Sequence, residues 1–214
     1  MTDPCTPSLP GAYPSDCEIT EGYRTMARNR IPAAEQDKKR LAVLARAAPI
    51  RLLLLDVDGV LTDGSILYSQ EGTESKSFNT QDGFGLRLLL EAGMETGVIT
   101  ARTSKAVTRR TRDLKMRYVF QGVSEKLSAY KEIVRQSGLK PFEIAYMGDD
   151  WLDLVLLTRV GFAAVPANAV MEVQDVAHYV SGRPGGHGAV REVCDLLLEA
   201  KGIMQQVLQG YMSR

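Results

Sequence analysis

The chain has 214 residues, a length that suits one domain of ordinary size with or without an extension, and its 26 Lys plus Arg balance its 26 Asp plus Glu. Balanced charge supplies no global field that would draw the protein onto nucleic acid or an anionic membrane. No apolar run approaches a membrane span of roughly eighteen residues, and the N-terminus lacks the basic and apolar regions of a signal peptide, so a cytoplasmic protein is expected. Cys5, Cys17 and Cys194 are far apart and form no Cys-x-x-Cys pair, which argues against a disulfide framework or a zinc site and for free thiols. His178 and His187 are too few for a three-histidine metal centre, and no Gly-x-Ser-x-Gly elbow is present.

Residues 1 to about 30 carry Pro4, Pro7, Pro10 and Pro14 among scattered polar residues, without periodicity, and read as a mobile tail; Met26 is an alternative start. From Ala33 to Ala47 the composition favours a helix, closed by Pro49. Arg51 to Leu55 is an apolar run too short for an ordinary helix. Ended by Asp56-Val-Asp58-Gly59, it reads as a buried strand. Residues 65–78 contain two short strand-like runs about Glu71-Gly72 and predict a protruding β-hairpin.

Alternation then sets in. A helix from Asp82 is stopped by Gly93, a strand spans Glu95 to Thr100, and a basic helix runs from Thr103 to Arg112. A strand at Tyr118–Phe120 and a helix at Glu125–Gln136 follow, punctuated by Gly138 and Pro141. After a strand at Ile144–Gly148 come a helix at Trp151–Val160, a strand at Phe162–Val165, a short helix, a strand near Tyr179 and an amphipathic helix at Ala189–Ala200. Strands alternating with helices imply right-handed crossovers, hence an α/β fold with a doubly wound parallel sheet. The expected division is an extension over 1–48, the α/β domain over 49–201 and a tail over 202–214.

In such sheets ligands bind at the carboxyl ends of the strands, and this rule collects scattered polar residues into a constellation. Asp56 and Asp58, two apart on an extended backbone, lean to the same side and repel unless a divalent cation takes their oxygens. Thr100 ends the next strand, Lys126 opens a helix after a third, and Gly148-Asp149-Asp150 ends a fourth. Each has a plain alternative: an Asp-Gly turn, an N-cap hydroxyl, a solvated first-turn lysine, an acidic turn. Their order along the chain is more specific than any one of them.

Asp56-Val-Asp58-Gly59-Val60-Leu61-Thr62, Thr100, Lys126 and Gly148-Asp149-Asp150-Trp151-Leu152-Asp153 match the four motifs of the haloacid dehalogenase-like phosphatases, which residues 50 to 200 resemble. The resemblance implies a HAD-like Rossmannoid core, with Asp56 as nucleophile, Asp58 as acid and base, and Mg²⁺ on Asp56, the Asp58 backbone carbonyl and Asp149. Thr100 and Lys126 would bind the phosphoryl group, Asp150 would support the site, and Asp153 would orient Lys126. Phe78-Asn79-Thr80-Gln81-Asp82-Gly83, Arg87, Arg102, Arg110 and residues 185–194 are most similar to the branch acting on 3-deoxy-D-manno-octulosonate 8-phosphate in lipopolysaccharide sugar synthesis. Asp58, Asn79, Thr80, Gln81, Asp82, Gly83, Arg87, Arg102, Arg110 and Lys126 are the substrate positions this implies. Guanidinium forks suit an acidic sugar.

The sequence departs from the branch at three places: Gln81 and His187 stand where arginine is common, and Ala101 where glycine follows the motif threonine. Nine-carbon 2-keto acid 9-phosphates of the sialic acid type are therefore the competing substrates. No room exists for a cap domain. Cap-less relatives are tetramers in which hairpins associate and a neighbour's glycine-rich tail approaches the site; residues 65–78 and 182–192 resemble those parts, although 185–188 also read as a flexible entry to the last helix. Two other classes stay open: a phosphoacceptor receiver domain, which lacks an Asp-x-Asp on its first strand, and a noncatalytic oligomerisation module. Dinucleotide binding fails, because Gly83-Phe84-Gly85 lacks the third glycine.

Overall fold

The computed structural model describes residues 33–213 and Glu18. The expected N-terminal tail, the alternative start at Met26, Cys5 and Cys17 lie outside the described residues. Contacts divide the chain into two units, 1–41 and 42–214, and helix α1 (Ala33–Ala47) runs from the first into the second. In the first unit Glu35 and Lys39 pair one turn apart on α1. None of the described helices is long and apolar enough to cross a membrane.

The second unit is built on a strand of four leucines, β1 (Leu52–Leu55), every one of them fully buried. It is flanked by β4 (Glu95–Ile99) and β6 (Ile144–Met147), and the six-stranded sheet runs β5-β4-β1-β6-β7-β8 with every pair parallel. Here β5 is Tyr118–Phe120, β7 Phe162–Val165 and β8 Tyr179–Val180. Because strand side chains alternate, β1 serves two cores at once. Leu53 and Leu55 pack with Leu86 and Leu89 of α2 (Thr80–Glu91) and with Val193 and Leu197 of α7 (Ala189–Ala200). Leu52 and Leu54 face the other layer, with Ile133 of α4 (Lys126–Ser137) and Leu156 of α5 (Leu154–Leu157). Gly85 lets α2 approach α7 closely, since a Cβ there would stand 2.9 Å from Arg191 Cδ.

Helices α3 (Lys105–Asp113) and α6 (Met171–Val176) complete the crossovers, and the strands fall where alternation puts them. Three details differ from expectation. Helix α2 begins at Thr80 rather than Asp82, because Asn79 Oδ1 accepts from the N–H groups of Gln81 and Asp82 and so caps the helix. The helix expected over 151–160 is a 3₁₀ turn at Trp151–Asp153 followed by the single turn α5; Asp150 and Asp153 cap each other's backbone there and tighten the entry. The segment after 201, expected as a tail, holds helix α8 (Met204–Met212), whose Val207 and Tyr211 pack on the first core and whose Tyr211 ring meets Phe84 edge-on at 5.4 Å.

The hairpin is present but brief. Strands β2 (Leu67–Tyr68) and β3 (Glu74–Ser75) pair antiparallel, Leu67 opposite Ser75 and Tyr68 opposite Glu74, around a turn with Gly72 at φ 77°. Leu67 and Tyr68 are exposed.

Candidate active site

The order β5-β4-β1-β6-β7-β8 reverses direction of growth at β1, and the crevice beyond the carboxyl ends of β4, β1 and β6 is where a doubly wound sheet binds its ligand. Asp56 leaves β1 with its N–H donated to Met147 O at 2.9 Å, so the carboxylate emerges beside the end of β6. The chain then tightens: Leu61 and Thr62 N–H both donate to Val57 O. Gly59 turns at φ 85°, and any Cβ there would lie 2.0 Å from Asp149 Oδ2. Glycine at 59 is required twice over, by the left-handed backbone and by the approach of Asp149.

A cleft of about 280 Å³ results, lined by Asp56, Asp58, Thr100, Arg102, Lys126, Asp149, Asp150 and Asp153. Lys126 is buried at its floor. Its Nζ donates to Asp153 Oδ1 at 2.6 Å and to Tyr146 Oη at 3.2 Å, and stands 3.0 Å from Asp56 Oδ1. Tyr146 in turn donates its hydroxyl to Asp153 Oδ1, while Asp153 Oδ2 accepts from the N–H groups of Asp149 and Asp150. One carboxylate thus ties α4, β6 and the 149–153 turn together.

Burial sets the electrostatics. It raises the pKa of Asp56 to about 6 against the opposing pull of Lys126, and raises that of Asp149 to about 7, helped by the carboxylates of Asp153 and Asp56. For Lys126 burial works downward, but Asp56 and Asp153 outweigh it and the net shift is up, so the ammonium stays charged. Around Lys126 three carboxylates face one ammonium, so acids outnumber bases there.

Asp56, Asp149 and Asp153 each offer an oxygen within 4.8 Å of the others, a spacing open to a cation. Asp153 has both oxygens engaged, so the chemistry points away from it. Asp56 Oδ1 and Asp149 Oδ1 are buried without a hydrogen bond of acceptable geometry, and they are the donors that fit a hard divalent ion.

Asp58, half-buried, also lines the cleft and is held from the hairpin side. Its Oδ1 accepts from Lys76 Nζ, and its Oδ2 is 3.9 Å from Arg102 Nε. Arg102 donates to Glu74 Oε2 at 2.6 Å and to the Tyr68 hydroxyl at 3.1 Å, both on the hairpin.

Of the substrate residues expected on α2 and α3, none lines this cleft. Asn79 caps α2, Thr80 begins it, and Gln81 borders a separate hollow of about 300 Å³ with Arg183 and Arg191. Asp82 is buried and accepts from the N–H groups of Gly188 and Arg191, fastening the glycine-rich segment to α2. Arg110 donates to Asn79 O at 3.0 Å and lies over Phe78, leaving no space for a Cβ on Gly83. Arg87 is exposed and paired with Glu91. The glycine-rich segment packs within its own chain: Gly186 N–H donates to Val60 O at 2.9 Å, and a Cβ on Gly185 would fall 1.7 Å from Gly59 O.

Three side chains at the site, Tyr146, Glu74 and Lys76, belong to none of the motifs. A tyrosine in a strand covered on both faces needs a partner for its hydroxyl, and that is the one signal pointing to Tyr146. Nothing in the hairpin sequence distinguishes Glu74 and Lys76 from solvated charges.

No family model matches the chain. The structure aligns with a putative HAD superfamily (subfamily III A) hydrolase from Legionella pneumophila at a TM-score of 0.81 and 38% identity, covering 85% of this chain and 100% of that one. Fold and rim together define a haloacid dehalogenase-superfamily hydrolase. The sequence is 43% identical over 159 residues to 3-deoxy-D-manno-octulosonate 8-phosphate phosphatase of Yersinia pestis, covering 74% of this chain and 85% of the relative. It is also 43% identical over 164 residues to the enzyme of the same name from Escherichia coli K12, covering 77% and 87%. The phosphatase of that name from Moraxella catarrhalis, solved with magnesium, phosphate and the sugar acid KDO, superposes at a TM-score of 0.78 and 37% identity over 79% of this chain and 98% of that one. The chain belongs to the 3-deoxy-D-manno-octulosonate 8-phosphate phosphatase family.

Proposed function

We propose that the protein hydrolyses 3-deoxy-D-manno-octulosonate 8-phosphate to the free sugar acid and phosphate, using Mg²⁺, in lipopolysaccharide sugar synthesis. The observation that carries the reading is the pair of buried oxygens, Asp149 Oδ1 with no hydrogen bond and Asp56 Oδ1 facing only the charged Lys126 at 3.0 Å, at the rim where three strands end. Relatives bearing this activity's name, one of them solved with magnesium, phosphate and KDO, support the substrate and the ion.

Asp56, the Asp58 backbone carbonyl and Asp149 would hold the ion, which neutralises charge on the phosphoryl group when bound. Lys126 and the Thr100 hydroxyl bind phosphoryl oxygens, offsetting the repulsion between a dianionic ester and an anionic nucleophile. Asp56 attacks phosphorus as the ester P–O bond breaks, and Asp58 gives its proton to the departing sugar oxygen. Asp58, now a carboxylate, takes a proton from the water that splits the aspartyl-phosphate. Asp153 and Asp150 orient Lys126 and the 149–153 turn. Arg102, at the mouth of the cleft, pairs with the carboxylate of the sugar.

The reading extends to a homotetramer in the cytoplasm. An open cleft and the exposed Leu67 and Tyr68 of the hairpin support association. A substrate role for Asn79, Thr80, Gln81, Asp82, Gly83, Arg87 and Arg110, which lie outside the cleft of their own chain, would then depend on a second subunit.

The test is phosphate release, with and without Mg²⁺, from the eight-carbon 8-phosphate, nine-carbon 9-phosphates and an aryl phosphate, with Asp56→Asn as control. A rate far higher on the eight-carbon sugar, lost on substitution and on chelation, is expected. Asp56-dependent turnover that favours a nine-carbon sugar would discard the substrate and keep the chemistry. No turnover on any of them would sink both.

A further inference from the structure

The hairpin carries a cation that none of the four motifs contains. Lys76, just past β3, has a side chain with no solvent exposure, unusual for a lysine on a two-stranded ribbon. Its Nζ donates to Asp58 Oδ1 and lies 3.1 Å from Glu74 Oε1. Glu74 Oε2 accepts from Arg102, whose Nε faces Asp58 Oδ2. Two acids and two bases therefore close a ring from the catalytic loop through the hairpin to the segment after β4. The charges cancel within it.

This ring treats the two oxygens of Asp58 differently. Oδ1 accepts a hydrogen bond from Lys76, whereas Oδ2 accepts none and faces Arg102 Nε at 3.9 Å, beyond a hydrogen bond. A carboxyl group that must hand a proton to a leaving oxygen works best when its rotor is fixed and the oxygen bearing the proton is the one facing the ester. We propose that Lys76 is a positioning residue for Asp58, clamping Oδ1 so that Oδ2 is the oxygen that gives the proton to the leaving group and later takes one from water. The inference rests on the phosphatase reading. In the first half-reaction the Asp56–phosphorus bond forms, the ester P–O bond breaks and the Oδ2 proton passes to the alkoxide. In the second, water bonds to phosphorus, the Asp56–phosphorus bond breaks and the water's proton returns to Oδ2.

Leaving-group dependence separates this role from a merely structural one. A sugar alkoxide needs a proton as it departs, whereas a nitrophenolate leaves well without one, so general-acid assistance of roughly 10²–10⁴ applies to the first and barely to the second. Lys76→Met and Lys76→Arg would be compared with the unsubstituted protein on the eight-carbon sugar 8-phosphate and on p-nitrophenyl phosphate, with Mg²⁺ at saturation. For Lys76→Met the ratio of sugar-phosphate to aryl-phosphate kcat falls at least tenfold; Lys76→Arg, which keeps a donor, recovers most of that ratio. Equal loss on both substrates, or an unchanged ratio, would overturn the inference while leaving the phosphatase reading intact. An unsubstituted protein inactive on both would overturn the reading and this inference with it.

Discussion

Lys126 Nζ and Asp153 Oδ1 meet at 2.6 Å with both side chains almost fully buried, so the cation that would bind a phosphoryl group under the proposed function is already held by a carboxylate. Asp153 is engaged from four directions, by Lys126, the Tyr146 hydroxyl and the N–H groups of Asp149 and Asp150. It sets where the lysine points and where Asp149 sits.

Replacing Asp153 by Asn keeps the shape but removes the charge. Turnover should fall about 10- to 100-fold, the usual cost of losing a partner behind a site's own ligands. Asp153→Ala should also destabilise the fold by about 3–5 kcal/mol, because a buried ammonium loses its principal counter-charge. Urea unfolding beside kcat for both variants checks this; unchanged stability in the alanine variant would contradict it.

Metal binding should release protons. With the Asp149 pKa raised to about 7 and that of Asp56 to about 6, chiefly by burial, both are partly protonated in the metal-free protein near pH 6. A cation must displace those protons, so Mg²⁺ affinity rises from pH 5 to pH 8 and flattens above. Both folded values lie above the ordinary aspartate value of 3.8, so the stability these groups contribute is full below about 4 and is lost as pH rises through 6 to 7. Calorimetry in two buffers of different ionisation enthalpy measures the protons, and the melting midpoint of metal-free protein across pH 5–8 measures the loss. Mg²⁺ should restore it most at the upper end.

How much of this was legible beforehand depends on the range of the forces involved. Sheet order, the rim and the acid pair follow from period and from strand-end placement, which are local properties of the chain. Asn79, Asp82 and Arg110 matched positions linked to substrate, yet within their own chain they cap a helix, fasten a glycine-rich segment and brace a loop. Family position carried no information on which packing need each also meets. Lys76 and Tyr146 were hidden for the opposite reason: a lysine on a hairpin and a tyrosine in an apolar strand look ordinary until the fold brings Asp58 and Asp153 to them. The short α5 escaped because Asp150 and Asp153 divert the segment into reciprocal capping that apolar periodicity does not reveal.

Gly185 should tolerate no side chain. A Cβ there would meet the Gly59 carbonyl oxygen at 1.7 Å, and backbone on both sides cannot swing away as a flexible side chain can. Gly185→Ala should destabilise by about 1–3 kcal/mol, as overpacking does, and lower kcat by displacing the loop that presents Asp58. Gly138, a helix C-cap at φ 68° with open space around it, is the comparison: its alanine variant should cost about 1 kcal/mol and leave kcat alone. Matching losses of kcat in the two variants would show that the glycine-rich segment does not support the site.

Arg102 should act on binding rather than on the chemical step. Its guanidinium is part-exposed at the mouth of the cleft, anchored by Glu74 and Tyr68 and beyond hydrogen-bond reach of Asp58. An anchored fork of this kind is pre-organised for a carboxylate, whereas the phosphoryl group of the proposed substrate would sit deeper, against Lys126. Arg102→Ala should raise KM for an acidic sugar phosphate at least tenfold, with a smaller change in kcat, and should barely move KM for an aryl phosphate, which has no carboxylate to lose. The melting temperature should change little, because exposed ion pairs contribute little. Steady-state constants on both substrates decide the matter. A fall in kcat on both, with KM steady, would move Arg102 from the sugar to the phosphoryl group and require a different residue to recognise the acid.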